Sequence, residues 1–450
     1  MEKSAGLTDA VLLLDNYGEE SDMLRQSFRS AGFTGPVVVI EDDGFLPEDV
    51  ISVYQYFCGD FRKSDTVPGK PRFFNQIELP DYWEISGTNA RGQVHDLNRE
   101  RGRIFYAEPK HKRLVRVVDW LDENGVARFS DHYNKYGAIY ARTFFNKEAK
   151  RFCRAYFDAE GRETLLENFL TQNIILNREG RTYVLENKVE LTLKVLEELG
   201  AMGSRIFYNS LSTPLFVSER MPEGRQEDVL FWQENTRDDI PGNMQMILDG
   251  NSKRTKSIYV QKKDSYDRLI RLGASKEMLK PLGFVYPFSR ENTYQNEALI
   301  CTNSDRIEKV EELINAIPNM HFHITAITEM SSKLMSLSRY ENVTLYPGAS
   351  VQRINELFDR CDYYLDINHE SEIVSAVKQA FLHNLLILGF KETLHNRSFV
   401  AAKHVFKGHE DMVAFLKKIM GYEGQIRKRL EWQKKKAMAE KPAAYGELLK

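Results

Sequence analysis

Hydrophobic positions in the second half of the chain alternate between short apolar runs and longer amphipathic stretches. The apolar runs between Ala298 and Arg397 are ALICTN, HFHITAI, VTLYPG, DYYLDI and LLILGF. The amphipathic stretches predict helices over Asp305–Ala316, Met330–Arg339 and Val351–Cys361, and a further helix that ends at Phe381. Strands that alternate with helices of about ten to fifteen residues predict βαβ units and a parallel sheet.

The carboxyl ends of these predicted strands carry the candidate ligand-binding residues. Ligands of open parallel sheets bind beyond that edge, where the order of the strands reverses. The residues predicted at the edge are Thr302–Asn303, Thr325, Tyr346–Gly348 and Asn368–Glu372.

The first 72 residues show the same alternation, and the segment after them does not. DAVLLLD and GPVVVIED predict strands around a helix over Glu19–Ala31, which Gly32 ends, and Leu46–Phe57 predicts a second helix. Between residues 73 and 188 the pattern changes to short β-rich runs: GRIFYAEP, RLVRVVDWL, VARFSDHY, AIYARTFF, KRFCRAYF, NIILNRE and RTYVLEN. Turn sequences such as ENG, KYG and EG separate them, which is typical of an antiparallel meander of hairpins.

Alternation resumes after residue 188, beginning with a predicted helix over Val189–Leu199. Gly283–Phe288 is predicted as a strand that links to the second sheet. The fold class is therefore α/β, with two Rossmann-like domains in a GT-B-like arrangement and an inserted antiparallel β-meander. The predicted boundaries are 1–72 and 189–285 for the first Rossmann-like domain, 73–188 for the meander, 286–424 for the second domain and 425–450 for a basic terminal helix.

Size and composition narrow the class of protein. A chain of 450 residues with 42% hydrophobic and 28% charged residues is expected to form two or more globular domains. The net charge of −3 gives no electrostatic reason to expect nucleic acid as a partner. Neither a signal peptide nor a membrane-spanning segment is predicted, and we expect a cytoplasmic protein. Its four dispersed cysteines (Cys58, Cys153, Cys301 and Cys361) predict buried thiols, with no metal site and no cofactor.

The second Rossmann-like domain lacks a pair of carboxylates that catalysis would need. Retaining glycosyltransferases with two facing Rossmann domains usually carry two glutamates with seven residues between them. The first contacts the donor sugar, and the second binds the ribose hydroxyls of the nucleotide. Aligned by the helix and strand that follow, these positions hold Ser371 and Gln379, and Asn384 stands where a helix-ending glycine is common. A glutamine amide offers one acceptor group and one donor group where a carboxylate offers two acceptors. One interpretation is that the domain has lost the ability to bind a sugar donor. The other is that an active site remains, displaced by a residue along the chain, and uses Glu370 or Glu372.

Three further patterns have a functional and a plain structural interpretation. Lys333 and Ser331 could bind a diphosphate. Alternatively, they belong to the first turn of an ordinary capped helix that is exposed to solvent. His369 beside Glu370 is a candidate acid–base pair, or part of a binding or capping loop. In the first domain, the acidic loop DNYGEES would repel phosphate, so we interpret it as a loop that faces the acceptor, or as a solvated helix start.

The basic segment Gln425–Glu440 also has two interpretations. Its lysines and arginines suit peripheral contact of the protein with an anionic membrane. The alternative is a solvated helix that packs through Ile426, Leu430 and Met438.

Three separated segments carry a resemblance to a known family. They are FFNQIELPDYWEISGTNARGQVHD, HFHITAITEMSSKL and CDYYLDINHESEIVSAVKQAFLHNLLILGF. With them the chain resembles the stabilising, chaperone-like subunit of two-component O-GlcNAc transferases. These enzymes modify the serine-rich repeat adhesins that the accessory Sec system of Gram-positive bacteria exports. The likeness covers essentially the whole length.

The resemblance implies a non-catalytic subunit that stabilises a catalytic partner and binds the Ser/Thr-rich adhesin polypeptide. The missing glutamates agree with a non-catalytic role. It also implies a hetero-oligomer, expected to be a heterotetramer. The candidate contacts to acceptor peptide, or to a vestigial donor cleft, are Thr325, Ser331, Lys333, Asn368, His369, Glu370 and Glu372. The alternative is an active retaining transferase with a UDP-sugar donor, in which Lys333 and Glu370 or Glu372 contact the donor.

Overall fold

The computed structural model describes residues 9–224, 226–235 and 237–450, which form two compact units. The first unit contains residues 9–260 and 265–280 of the described chain, and the second contains 261–264 and 281–450. The strands are β1 (Ala10–Asn16), β2 (Val37–Glu41), β3 (Val50–Ser52), β4 (Glu84–Gly87), β5 (Gly92–Asp96), β6 (Arg99–Tyr106), β7 (Val115–Leu121), β8 (Ala127–Tyr133), β9 (Ile139–Phe145), β10 (Arg151–Phe157), β11 (Glu163–Asn168), β12 (Ile174–Arg178), β13 (Arg181–Leu185), β14 (Arg205–Tyr208), β15 (Asp228–Trp232), β16 (Thr255–Val260), β17 (Leu279–Pro281), β18 (Glu297–Thr302), β19 (His321–Ala326), β20 (Val343–Tyr346), β21 (Tyr363–Asp366), β22 (Leu386–Phe390) and β23 (Val405–Phe406).

Helices of varied length accompany these strands. They are α1 (Glu19–Ser30), α2 (Lys188–Glu198), α3 (Thr213–Arg220), α4 (Gly242–Leu248), α5 (Lys263–Arg271), α6 (Val310–Ala316), α7 (Ser332–Met335), α8 (Val351–Arg360), α9 (Ala376–Leu382), α10 (His409–Ile419), α11 (Glu423–Lys436) and α12 (Pro442–Gly446). Among the described residues, no helix combines the length and the apolar character needed to cross a membrane.

The first unit contains a seven-stranded sheet in the order β17-β16-β15-β14-β1-β2-β3. Its central strands β1, β2, β14 and β15 pair in parallel, as the alternating pattern predicts. The strand order reverses between β1 and β14, so the carboxyl ends of these two strands form the position where open α/β sheets bind ligands.

The meander between β3 and β14 is a ten-stranded antiparallel sheet from β4 to β13. The prediction of an inserted antiparallel meander is therefore confirmed, although the sequence pattern missed β4, β5 and β11. On one face, meander side chains such as Tyr140, Tyr156 and Leu165 join the same core as Val11 and Leu13 of β1. The meander and the first parallel sheet thus share one hydrophobic core within the first unit.

The second unit contains a six-stranded parallel sheet in the order β20-β19-β18-β21-β22-β23. Its strand order reverses between β18 and β21. Fully buried side chains of these strands, including Ile300, Phe322 and Leu388, pack against the helices into a separate core. The predicted pair of Rossmann-like sheets is confirmed.

Three predicted helices differ from the structure. The helix expected over Leu46–Phe57 is wrong: this stretch contains β3 and a single 3₁₀ turn, Gln55–Cys58. Val50, Ile51 and Ser52 add a parallel edge strand to β2, and Val50 and Ser52 are buried, so tertiary pairing overrides the helical periodicity. Three shorter elements replace the helices expected over Asp305–Ala316 and Met330–Arg339: α6, α7 and a 3₁₀ turn at Ser336–Arg339.

Gly283–Phe288 is not the linking strand that the sequence predicted. The segment meets the C-terminal tail at one bridge, between Phe284 and Ala439, instead of joining a sheet. A Cβ atom on Gly283 would lie 1.8 Å from the carbonyl oxygen of Met438, so the close approach of the two segments requires glycine.

The basic helix α11 packs on the second sheet. Ile426 and Leu430 are buried in its core, and the buried Gln433 side chain bonds to the backbone of Leu385 and Ile387. Packing of this helix through Ile426 and Leu430 is confirmed, whereas its contact with anionic lipid stays a prediction.

Candidate functional site

The carboxyl edge of the second sheet brings together most of the residues that the sequence analysis singled out. At the reversal of strand order, the Thr302 hydroxyl at the end of β18 donates to Asn368 Oδ1 at 2.8 Å. The Asn368 amide nitrogen donates to the Glu370 carbonyl at 3.0 Å and lies 3.3 Å from Asn303 Oδ1. Asn368 is buried, and its side-chain amide is hydrogen-bonded within the protein, so it stabilises the conformation of this loop.

Backbone hydrogen bonds also hold the loop that follows β21. The Glu308 N–H donates to the Ile367 carbonyl at 2.8 Å, and the His369 N–H donates to the Arg306 carbonyl at 3.0 Å. These bonds align the loop after β21 with the loop after β18. The loops after β18 and β21 therefore stabilise each other at this edge.

His369 and Glu370 are neighbours in sequence but bond to different partners. His369 Nε2 donates to Glu308 Oε2 at 2.7 Å, and Arg306 donates to Glu370 Oε1 at 2.6 Å. The structure therefore does not show His369 and Glu370 as an acid–base pair. Both side chains are partly exposed.

Glu372 has a structural role at the start of α9. Its Oε1 accepts a hydrogen bond from the Val377 N–H at 2.6 Å, which satisfies a donor of the first helical turn. Ser371 is exposed in the loop, and Gln379 lies half-buried on α9. Asn384 follows this helix with φ of 55°, the left-handed conformation that glycine or asparagine often adopts at the end of a helix.

Thr325 lies near the end of the neighbouring strand, β19, and Ser331 and Lys333 follow that strand. The Thr325 hydroxyl is buried and has no hydrogen-bond partner. Ser331 is the N-cap of α7, where its Oγ accepts from the Leu334 N–H at 3.2 Å. Ser331 and Lys333 are both exposed, whereas Thr325 is buried. The roles of these residues in ligand binding stay predictions.

Lys333 borders an open cavity of about 450 Å³ on the carboxyl side of the sheet. Its charged lining residues are Asp305, Glu308, Glu311, Glu312, Lys309 and Lys333. Four carboxylates face two ammonium groups, and such a balance disfavours the two negative charges of a diphosphate. The cavity suits a neutral or positively charged group better than a nucleotide.

The sequence did not indicate that His395 and Asp366 form a hydrogen bond at this edge. His395 Nδ1 lies 2.6 Å from Asp366 Oδ1, and Nε2 lies 2.5 Å from the Glu370 carbonyl. Both oxygens are acceptors, so both ring nitrogens donate and the imidazole is charged. The hydrogen bond to Asp366 raises the pKa of His395 to about 9. His395 thereby fixes the loop from Asn368 to Ser375 to the end of β21.

Replacing His395 by glutamine is expected to loosen this loop in a pH-dependent manner. A folded-state pKa above the unfolded value contributes stability that is complete below about pH 6.5 and is lost as the pH rises through 9. After discounting for solvent exposure, we expect His395→Gln to cost about 1–2 kcal/mol at pH 6 and almost nothing at pH 10. Urea unfolding of the variant and the wild type at both values measures the difference.

His369→Gln is the matched control, because it makes the same replacement within the loop that His395 holds and breaks only a partly exposed contact to Glu308. An equal loss for His395→Gln at pH 6 and pH 10 would contradict a charged His395.

The opposite edge of the second sheet brings Glu297, His323 and Cys361 within 4.8 Å of one another. His323 contacts Glu297 through Nε2 at 2.9 Å and Tyr346 through Nδ1 at 3.0 Å. Arg360 also donates to Glu297, at 2.5 Å. These polar groups satisfy one another, so the cluster has a structural explanation without an ion.

Models of protein families match the chain along most of its length. The GtfB N-terminal domain matches residues 11–57, the GtfB middle domain matches 83–186, and the GtfB third domain matches 188–272. The GftB/GlyA-F C-terminal domain matches residues 298–433.

Individual relatives extend this similarity to the full length. One is the UDP-N-acetylglucosamine–peptide N-acetylglucosaminyltransferase stabilizing protein GtfB of Streptococcus agalactiae, 41% identical over 98% of each chain. The protein of the same name from Streptococcus pneumoniae serotype 4 is 43% identical over 88% of this chain and 89% of its own. A chain in the crystal structure of a GtfA/B complex bound to UDP and GlcNAc superposes with a TM-score of 0.90, at 38% identity, over 98% of this chain and 99% of that one.

Proposed function

This chain belongs to the GtfB family of glycosyltransferase-stabilising proteins, and from that premise we propose that it is the non-catalytic subunit of a peptide O-GlcNAc transferase. In this role it binds a catalytic transferase in a hetero-oligomer and presents a Ser/Thr-rich adhesin polypeptide to it in the cytoplasm. The similar proteins are named as stabilizing proteins of a peptide N-acetylglucosaminyltransferase. The chain that superposes with a TM-score of 0.90 comes from a GtfA/B complex.

The observation that supports the non-catalytic role is that neither position expected for the carboxylate pair, after β21 and on α9, holds a carboxylate. Ser371 and Gln379 occupy the two expected positions. The nearest alternatives are engaged elsewhere, because Glu370 pairs with Arg306 and Glu372 caps α9. The acid-lined cavity beside Lys333 further disfavours a diphosphate.

The same edge suits a polypeptide better than a nucleotide sugar. His369, Glu370 and Lys333 are accessible there and offer both donors and acceptors to an extended chain. Asn368 and Thr325 are buried, and we assign them to the support of the edge. Extended peptides are commonly held by contacts of this mixed kind to backbone and side chains.

We assign the catalytic partner to the open face of the meander. Cross-strand pairs place Phe129 beside Phe144, and Leu166 beside Ile175, on the face opposite the shared core. The row continues to Val184 on the edge strand β13, where the side chain is 69% exposed. Apolar side chains that are half-buried on the inner strands and exposed at an unpaired strand edge are typical of an interaction surface.

Titration calorimetry of the full chain tests the proposal. We expect an unglycosylated Ser/Thr-rich repeat peptide to bind and UDP-GlcNAc to release no measurable heat at concentrations up to about 1 mM, the weak end of specific binding. Micromolar binding of UDP-GlcNAc would contradict the non-catalytic role and favour a retaining transferase, in which Glu370→Gln and Glu372→Gln would then abolish donor binding.

A further inference from the structure

A cluster of three cations surrounds the ring of Trp432 on α11, in the second unit. The Lys403 ammonium nitrogen lies 4.7 Å from the ring centroid, and the Lys428 nitrogen lies 5.8 Å from it. The central carbon of the Arg429 guanidinium lies 5.4 Å from the same centroid. Lys403 belongs to the 3₁₀ turn that precedes β23, and the other two cations belong to α11. Two segments of the chain therefore bring three positive charges to one side chain.

No carboxylate neutralises this cluster. Among the residues that the structure describes, none forms an ion pair with any of the three cations. The two acidic residues of α11, Glu423 and Glu431, pair with other cations of that helix. The aromatic ring attracts each cation, but the cations repel one another. An anion that binds among them relieves this repulsion.

Arg429 is the buried member of the cluster. It is 7% exposed, and its guanidinium carbon lies 5.1 Å from the centroid of a second ring, that of Phe415. One terminal nitrogen donates to the carbonyl oxygen and the side-chain oxygen of Gln425, at 2.8 and 2.7 Å. The Nε–H group is buried and has no acceptor within the described chain. A buried charged donor without an acceptor is costly, so binding of an anion that accepts from the guanidinium is favoured.

His404 is a second buried polar group that contacts the same rings. Its ring centroid lies 5.9 Å from that of Phe415 and 6.3 Å from that of Trp432. The side chain is fully buried, and neither ring nitrogen has a hydrogen-bond partner within the described chain. Burial lowers the pKa of His404 to about 4, and the positive charge of Arg429 adds to the effect. The neutral imidazole therefore contributes one N–H donor beside the cations without adding a charge.

The arrangement of the cations favours a phosphate group as the ligand. Lys428 and Arg429 are successive residues, so they leave the helix axis in directions that differ by roughly 100°. Lys403 approaches the ring from another segment. The oxygens of a phosphate point in tetrahedral directions, so they can accept from donors on several sides at once. A carboxylate has two oxygens in one plane and matches a single guanidinium better.

We propose that Lys403, Lys428 and Arg429 form a binding site for a phosphate group around Trp432. The two lysines are exposed and Trp432 is half-buried, so a ligand can approach the cluster from solvent. The phosphate is carried by an anionic lipid headgroup or by a soluble molecule, since both offer the same oxygens. The site shares no residue with the strand ends that we assign to the acceptor polypeptide, and it does not depend on the proposed function.

The test presents two phosphate probes to the full chain. One probe is vesicles of phosphatidylcholine with phosphatidylglycerol, compared with vesicles of phosphatidylcholine alone by sedimentation. The other probe is inorganic phosphate, compared with chloride at equal ionic strength by tryptophan fluorescence. Lys403→Gln combined with Lys428→Gln removes two exposed cations, and we expect it to weaken binding of the active probe about tenfold or more.

A second substitution assigns the fluorescence signal to this site. The chain contains four tryptophans, so a change in emission does not by itself identify the ring that responds. Trp432→Phe keeps an aromatic ring beside the cations, and we expect it to remove the change in emission while binding is retained. A change in emission that persists in Trp432→Phe would place the phosphate elsewhere and overturn the site.

Lys110→Gln combined with Lys112→Gln is the matched control, because it removes two exposed lysines from a turn of the first unit and changes the net charge equally. We expect it to bind as the wild type does. Sedimentation with phosphatidylglycerol vesicles alone would assign the lipid source, and a response to inorganic phosphate alone would assign the soluble one.

Three results would overturn the phosphate site. They are binding of neither probe by the wild type, equal weakening by the two double variants, and unchanged binding when Lys403 and Lys428 are replaced. Tighter binding of a glutamate-rich peptide than of either phosphate probe would overturn the choice of ligand and indicate an acidic protein surface instead. Each of these results leaves the proposed function standing, because none of the probes is an acceptor peptide or a sugar donor.

Discussion

Val184→Lys is expected to weaken assembly with the catalytic transferase by about 2–4 kcal/mol, a factor of roughly 30–1,000 in affinity. The side chain belongs to the open apolar face of the meander and lies on its edge strand, β13. If a partner covers that face, the substitution buries an unpaired ammonium group in the interface, which is costly. The measurement is co-purification and analytical gel filtration of the two co-expressed chains.

Leu97→Lys is the control for this substitution, since Leu97 is 88% exposed in the turn between β5 and β6. It adds the same charge to the same sheet, away from the proposed surface, and is expected to leave the complex intact. An unchanged complex with Val184→Lys would show that this part of the face does not bind the partner.

A point substitution is a better test than deletion of the meander. Tyr140, Tyr156 and Leu165 of the meander pack in the core that also contains β1 and β14. Removing residues 73–188 would expose that core and unfold the first unit, so loss of the partner would have two explanations.

Arg254→Met is expected to lower the free energy of unfolding of the first unit by about 3–5 kcal/mol. Arg254 and Asp228 form a buried bidentate ion pair, with nitrogen–oxygen distances of 2.8 and 2.9 Å and side chains that are 4% and 0% exposed. Ser218 and the Ile206 N–H also donate to Asp228. Methionine leaves this carboxylate buried with two donors and no positive charge, which accounts for the size of the loss.

Urea unfolding measures the effect, and hydrogen exchange of peptides from β15 and β16 assigns it to the first unit. Arg220→Met is the matched control, because Arg220 is half-exposed and lies 3.9 Å from Glu186 at the surface. We expect the control to change stability by less than about 0.5 kcal/mol. A similarly small change for Arg254→Met would contradict the structural importance of the buried pair.

Local sequence determined the class of each element over most of the chain. Apolar runs separated by amphipathic stretches predicted both parallel sheets, and closely spaced turn sequences predicted the meander, because side-chain periodicity reflects which face of an element is buried. The sequence also predicted, from the positions of α9 and β22, that Ser371 and Gln379 stand where a carboxylate pair would be expected, and this stays a prediction. Asn384, in a left-handed conformation, confirms the end of that helix.

Tertiary structure decided which residues meet. His369 bonds to Glu308, far away in sequence, and not to its neighbour Glu370; His395 bonds to Asp366 across a loop that no periodic pattern describes. Val50–Ser52 became a strand because β2 offered an open edge, not because of its own periodicity. Spacing along the chain records local burial, whereas hydrogen bonds and ion pairs at the sheet edges depend on how loops from distant segments cross there. The sequence therefore determined most of the elements, and the fold alone decided which polar groups pair with one another.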